Sequence, residues 1–415
     1  MPQTMSASNE AELLVSRMLQ PAVDGQRYAI YDRLREIAPV HQTSNALLSG
    51  WYIISGYANC KAVLTAKETM NNEHVLRLMN VEGDGAYSRM NRTWMEYQNV
   101  MADHDRIRRL FFSHFTPRAV EAHRQKVREL VTMLLDSLAG RESFDVISEF
   151  AFPLPSMVIA SLLGIPLTDM ARFQEMMDQY LEATAMVKAL DEETKARRDA
   201  ISEELIEFFR GYLDERRRNP TGDLISKLGE ASPAAGVSDE ELLAQFVFVL
   251  IAGHSTTADM IGNAMVGLEK HPGQIALLNN GTVPMKDAIP EFLRYDSSLE
   301  VGTRYFNESM NVGGIKIAAG SCALLLLHSA HRDPAMFVEP DRLDLTRKAA
   351  LQAFPFGGGH YFCLGSGLAK IELEEALGAL VKRYPKFRIL DLAWQGGLVS
   401  HGPSRLIIEG TGAVS

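Results

Sequence analysis

The sequence predicts a mostly α fold with a small β region, and three observations carry that expectation. Between about Asp103 and Lys270 apolar residues recur at spacings of three and four, as at Val127, Leu130, Val131, Leu134 and Leu135. That is the period of an amphipathic helix. Two short runs, Trp51–Ile54 and Cys322–Leu327, read as strands. One helix is apolar on every face, through Leu242, Leu243, Phe246, Val247, Phe248, Val249, Leu250 and Ile251, and so belongs in the centre of the protein. Ser238 followed by Glu241 is a capping-box start for it. Its pattern runs to about Lys270, before Pro272, which is about 30 residues or roughly 45 Å.

A chain of 415 residues can bury a large core, and length alone suggests two or three domains. No internal repeat or low-complexity linker divides it, and the Gly229–Gly236 stretch reads as a loop before a helix. A single domain over residues 1–415 is therefore expected, with 1–25 as a disordered N-terminal segment. The net charge of -10 argues against a general nucleic-acid surface. The three cysteines, Cys60, Cys322 and Cys363, lie far apart with no metal-finger spacing. A disulfide framework is not indicated, which fits a reducing cytoplasm. Glu10 and Glu12 and the lack of a long apolar run speak against a signal peptide. Phe246–Gly253 and Ala323–Leu327 are the most apolar runs, well short of the roughly 20 residues a membrane span needs. A soluble, cytoplasmic monomer, without membrane or nucleic acid as partner, is the expectation.

The chemistry is concentrated first in Phe356-Gly-Gly-Gly-His-Tyr-Phe-Cys-Leu-Gly365. Three consecutive glycines permit a tight backbone. Cys363 stands near the start of a helix with Leu373, Leu377, Leu380, Val381 and Tyr384 on one face. Amides and the helix dipole at such a position lower a thiol's pKa. A lone cysteine in a glycine-rich turn is ordinarily a buried free thiol. The full spacing F-x-x-G-x-x-x-C-x-G changes that balance. Phe356, Gly359, Cys363 and Gly365 resemble the haem-binding loop of the cytochrome P-450 family, and Leu368-Ala369-Lys370 and Glu372 continue the likeness. The resemblance implies the cytochrome P-450 fold, haem b (iron protoporphyrin IX), Cys363 as axial metal ligand, and Phe356, Gly357 and Gly365 beside the cofactor. A cysteinate ligand pushes electron density onto iron and favours O–O cleavage.

The second motif, Ala252-Gly253-His254-Ser255-Thr256-Thr257, interrupts the apolar helix with polar residues. A helical threonine can bond the carbonyl four residues back, here Thr256 to Ala252, and bend the helix. Gly253 is expected to leave a gap beside it. Taken alone, this is equally a satisfied buried threonine. In its setting it resembles the family's oxygen-activating groove, with Thr256 as the alcohol, Ala252 against the haem, and Ser255 where the family usually has Asp or Glu.

Glu291-x-x-Arg294 alone is a weak i,i+3 ion pair. With His331-Arg-Asp-Pro334, Pro340-Asp341, Asp344 and Arg347 it resembles the family's structural triad and meander, with Arg347 completing the triad. The basic stretch His104-Asp-Arg-Ile-Arg108 resembles the segment whose His and Arg bind a haem propionate, and Arg304 stands at a third propionate position. Tyr361 replaces the usual His or Arg two residues before the cysteine. It is expected to offer one neutral hydrogen bond, while His360, one place early, is not assigned that role.

The resemblance runs from about residue 30 to 410 and implies a monooxygenase that inserts one oxygen atom from dioxygen into a small organic substrate. Electrons would come from a separate ferredoxin and ferredoxin reductase, docking near Arg106, Arg109, Lys370 and His360. It places the substrate pocket at Phe248, Ile251, Ala252, Leu299, Glu300, Val301 and Val399, with the 71–99 region, including Met79, Met90 and Met95, as an adaptable apolar wall. Glu300 would be its polar anchor. Ser255 leaves open a peroxide-dependent or oxidative-coupling reaction, and a haem-binding protein without turnover is the alternative outside enzymes.

Overall fold

A computed structural model describes residues 6–21, 27–71, 81, 83–99, 101–184 and 191–410. Its architecture follows from one helix. Asp239–Lys270 runs for 32 residues, starts with the expected capping box and stops at His271 before Pro272. Glu241 N–H donates to Ser238 Oγ at 3.2 Å, and Ser238 N–H donates back to Glu241 Oε2 at 2.5 Å. By length and composition this helix could cross a membrane. Here its apolar faces are covered by protein: Pro153–Leu163, Ser366–Arg383, Glu192–Arg218, Ala86–Asn99 and Met285–Tyr295 all pack against it.

The β portion is small and split. A five-stranded sheet has the order β1-β2-β8-β5-β3, with β1 Val40–Gln42, β2 Tyr52–Ile54, β3 Thr69–Met70, β5 Val301–Phe306 and β8 Cys322–Leu326. Only the β2–β8 pair in it is parallel. β4 (Ser143–Asp145), β10 (Pro403–Gly410) and β9 (Phe387–Trp394) form a second sheet, and β6 (Met310–Val312) pairs with β7 (Ile315–Ile317). Both strands expected from sequence are present, within a residue at their ends.

Over the described residues 6–21 the expectation of a disordered N-terminus is corrected. Ser6 caps a helix over Ala7–Met18, whose Ala11, Leu14, Val15 and Met18 are buried against Tyr31, Leu34, Ile53, Leu324 and Leu326. Arg27 donates to Met18 O at 3.0 Å and Gln20 O at 3.1 Å while pairing with Glu300 at 2.6 Å.

The meander is held by a buried charge knot. Arg294 meets Glu291 through two bonds of 2.7 and 2.8 Å, and Arg347 Nε reaches Glu291 Oε1 at 3.1 Å. Arg294 also donates to the carbonyls of His331, Pro340 and Arg342. Removing one partner from such a buried pair typically costs about 3–5 kcal/mol.

Candidate active site

The cysteine loop takes its shape from its glycines. Gly357 and Gly359 have φ of 73° and 64°, a region in which a side chain is strained. A Cβ on Gly359 would stand 2.7 Å from the Leu64 carbonyl oxygen. Gly357 N–H donates to Phe354 O and Cys363 N–H to Phe356 O, closing the loop. A helix then begins at Ser366.

The Cys363 side chain is accessible, yet protein surrounds it closely enough to disfavour a free thiolate. Burial raises the thiol's pKa, against the amides of Gly365 and Ser366 and the charge of Arg108, which lower it. The sequence reading expected a net lowering; in the folded chain desolvation outweighs the amides. Coordination to a metal ion deprotonates a thiol outright.

The helix that follows the cysteine packs on the central helix. On that central helix Ala252 is exposed, and Phe248, Ile251, Ser255 and Thr256 are half-buried, although most of the helix is covered. These positions share one face by helical spacing. Thr256 Oγ1 donates to Ala252 O at 2.9 Å, as expected. Phe248 stacks on Trp94 with ring centroids 4.2 Å apart. Gly253 is a correction. A Cβ there would lie 2.7 Å from Ile159 Cδ1, so its missing side chain admits Pro153–Leu163 rather than leaving a gap. Neighbouring His254 is fully buried, donates from Nε2 to Phe152 O at 2.9 Å, and is pushed down to about 4 by burial.

The residues assigned to haem carboxylates gather around Tyr361. Its ring lies 4.7 Å from that of His104, and the Arg304 guanidinium is 5.4 Å from the Tyr361 centroid. Arg304 donates to Asn71 Oδ1 at 3.0 Å and Thr303 O at 2.8 Å, but its Nε is buried without a partner among the described residues. Burial pushes it down to about 10. Arg108 projects charge on both His104 and Cys363. His360, expected only in the docking patch and not among the carboxylate-binding residues, lies 2.9 Å from His104 Nδ1 and 3.0 Å from Asp105. Burial, then the charges of His360 and Arg108, push His104 down to about 4.

Three further expectations change. Glu300 is not a pocket anchor: it is 1% exposed, paired with Arg27, bonded by the Tyr31 hydroxyl and 3.5 Å from His401 Nδ1. Val301 is buried in the N-terminal apolar cluster with Leu324 and Leu326. Both are drawn from the pocket because β5 packs one face on that cluster. Arg106 is committed to Glu241 at 2.9 Å and Gly236 O at 2.6 Å, which leaves Arg109 exposed nearby. Leu299 and Val399 are half-buried and tied together, through a bridge from Leu299 to Ser400 and Glu300 N–H donating to Val399 O. Met79 and the side chain of Met95 lie outside the described residues.

Comparison with known proteins agrees with this arrangement. The family profile described as cytochrome P450 matches residues 284–388. The biotin biosynthesis cytochrome P450 of Bacillus subtilis (strain 168) is 33% identical over 374 residues, covering 89% of this chain and 91% of that protein. Cytochrome P450 monooxygenase PikC of Streptomyces venezuelae is 32% identical over 367 residues, 86% of this chain and 84% of that protein. A solved structure of P450BioI, in complex with an acyl carrier protein ligated to hexadec-9Z-enoic acid, superposes with a TM-score of 0.82. It is 28% identical and covers 92% of this chain and 97% of that one. A helical fold built on one central helix and a glycine-looped cysteine define a haem-thiolate monooxygenase. The chain belongs to the cytochrome P450 family.

Haem is the cofactor of that family, and the residues present suit it. Arg304 Nε is a buried cationic donor without an acceptor, which an anionic carboxylate would satisfy. A Cβ on Gly365 would meet nothing within 4 Å, so space lies open beside the cysteine.

Proposed function

We propose that this protein binds haem b through Cys363 and oxygenates a medium-sized, mainly apolar organic substrate of natural-product type. Electrons come from a separate ferredoxin and its reductase. The protein works as a cytoplasmic monomer, with neither nucleic acid nor membrane as partner. The observation that carries this reading is the exposed residue Cys363 at the closed glycine loop, with Arg304 Nε unpartnered among the described residues beside Tyr361. Haem held by a cysteinate supplies the activation of dioxygen, since the thiolate favours O–O cleavage. Around it His104, Arg108 and Arg304 hold the two carboxylates, and Tyr361 adds a neutral hydrogen bond. Phe248, Ile251, Ala252, Leu299 and Val399 offer the substrate an apolar wall, as suits a pocket with few polar groups. Thr256 places a hydroxyl on the open face of the central helix.

Reduced protein under carbon monoxide is expected to show the strongly red-shifted Soret band of thiolate-bound haem. Cys363→Ser loses that band, whereas Cys60→Ser and Cys322→Ser keep it, because both of those thiols are buried elsewhere. Persistence of the band in Cys363→Ser sinks the assignment. Spectral titration across polyketide, peptide, terpenoid and fatty acyl compounds identifies the substrate class. A peroxide-dependent or coupling reaction is the second reading, favoured by Ser255 in place of an acid. Product from peroxide alone, at the rate seen with ferredoxin, would select it.

A further inference from the structure

Ser255 stands where the family carries a carboxylic acid, and a serine hydroxyl passes protons along without supplying them near neutral pH. A carboxyl group is present one helical turn away. Asp259 follows Ser255 by four residues and Thr256 by three on the central helix. Side chains at those spacings share a face, with Cβ atoms roughly 5–6 Å apart. The tilt of helical Cβ atoms toward the N-terminus points the Cα–Cβ bond of Asp259 toward the turn that holds Ser255.

The surroundings of Asp259 are those of an acid held ready. It is 3% exposed. Oδ1 accepts from Gln395 Nε2 at 2.8 Å, and Oδ2 is buried without a hydrogen-bond partner among the described residues. The loop between β9 and β10 is pressed onto it, since a Cβ on Gly402 would stand 2.4 Å from Oδ1. No salt bridge reaches Asp259 among the described residues. The charged group that bears on it is His401, which is itself held 3.1 Å from Asp296 and 3.5 Å from Glu300. Asn263, the next turn along the same face, spends its amide on the carbonyls of Asp296 and His401. A buried carboxyl with an unpaired oxygen favours its protonated form, and burial pushes Asp259 up to about 7.

We propose that Asp259 is the proton donor for oxygen activation, acting through Ser255 and replacing the acid absent at position 255. This rests on the haem-thiolate reading above. Asp259 gives its proton to Ser255 Oγ as Ser255 passes its own to the Thr256 hydroxyl and on to the oxygen substrate. Thr256 Oγ1 donates to Ala252 O in this structure; in the relay its lone pair accepts from Ser255 while the hydroxyl turns from that carbonyl and hands its own proton to the oxygen substrate. The Asp259 carboxylate regains its proton from bulk acid when the loop between β9 and β10 that covers it opens, and no electron moves in the relay.

Asp259→Asn is nearly isosteric and can still accept from Gln395, so it tests the proton and not the packing. In the wild type at neutral pH, infrared spectroscopy should show a buried carboxylic-acid C=O band that Asp259→Asn lacks. Coupled turnover with ferredoxin should fall roughly 100-fold in Asp259→Asn, the scale one positioned acid supplies, while dioxygen is still consumed. The wild-type rate should also decline as pH rises through about 7, a decline the variant loses. Ser255→Asp combined with Asp259→Asn should restore coupling, a rescue that a packing role would not allow. The proposal fails if no infrared band distinguishes the two proteins, or if Asp259→Asn keeps wild-type coupling and pH profile. The carbon monoxide spectrum separates the two levels. A wild type without the thiolate band refutes the site itself, whereas an intact band with unchanged coupling refutes Asp259 alone.

Discussion

Single side chains decide how a haem would be retained. Arg304 is a buried guanidinium with an unpartnered Nε, and Arg108 acts electrostatically on the cysteine loop. Tyr361 contributes at most one neutral bond. Charge-assisted bonds are roughly twice as strong as neutral ones. Arg304→Ala and Arg108→Ala are therefore each expected to lower haem occupancy of purified protein more than Tyr361→Phe does. Equal occupancy in all three variants would show that the carboxylates are held elsewhere. Cys363, Thr256 and Arg304 stand out in the sequence as candidates because the proposed chemistry asks for a particular residue at a particular spacing. His360 was not, since its approach to His104 joins positions 256 residues apart. Nor was the fate of Glu300, whose partners Arg27 and Tyr31 come from the other end of the chain.

At the level of elements, the cysteine loop depends on its seat against Tyr57–Thr65. Gly359→Ala meets two obstacles: a positive φ, and the Leu64 carbonyl oxygen 2.7 Å from the new Cβ. Unlike the flexible tip of Ile159 facing Gly253, backbone cannot swing aside. Gly359→Ala is expected to cost more than about 1 kcal/mol and to weaken haem retention, whereas Gly253→Ala should perturb the fold less. Matching denaturation midpoints for wild type and Gly359→Ala would contradict this. The central helix was foreseen almost to the residue because its capping box and its stop are local signals. The π-helical turn Ile147–Ala151, which leads to the Phe152 carbonyl bonded by His254, left no such trace. It packs against the central helix, and its wider i→i+5 turn follows no local signal in the sequence.

Across the whole molecule, buried titratable groups set a pH dependence. Burial pushes the His401 pKa down, but Asp296 and Glu300 outweigh it and hold the imidazole up to about 10. A group protonated in the native state and less so when unfolded stabilises fully below its unfolded pKa of 6.5 and loses that contribution as pH rises toward 10. Burial raises Asp259 to about 7 and Glu372 to about 8, which act in the same direction. His254 and His328, pushed down to about 4, are stabilising above 6.5 and lose that contribution as pH falls through about 4. The melting temperature should therefore decline from pH 6.5 toward 10. His401→Gln should be less stable at pH 6.5, on the order of 3 kcal/mol, yet show a shallower decline. Parallel declines in the two proteins would exclude His401 as the source.

The sequence by itself determined the class of fold, the central helix, the glycine-rich cysteine loop and the Glu291–Arg294–Arg347 knot, because periodicity, caps and motif spacing are written along a local stretch or a fixed motif. Tertiary structure alone decided the rest. It ordered the N-terminal helix by burying its apolar face, and it turned Glu300 and Val301 away from the pocket. It filled the gap expected at Gly253 with Ile159. It also sealed Asp259 beneath Gly402 and Gln395. Each of these depends on which distant side chain or backbone comes to rest against a residue, and burial, not residue type, then sets whether a carboxyl group is an ion-pair partner or an acid.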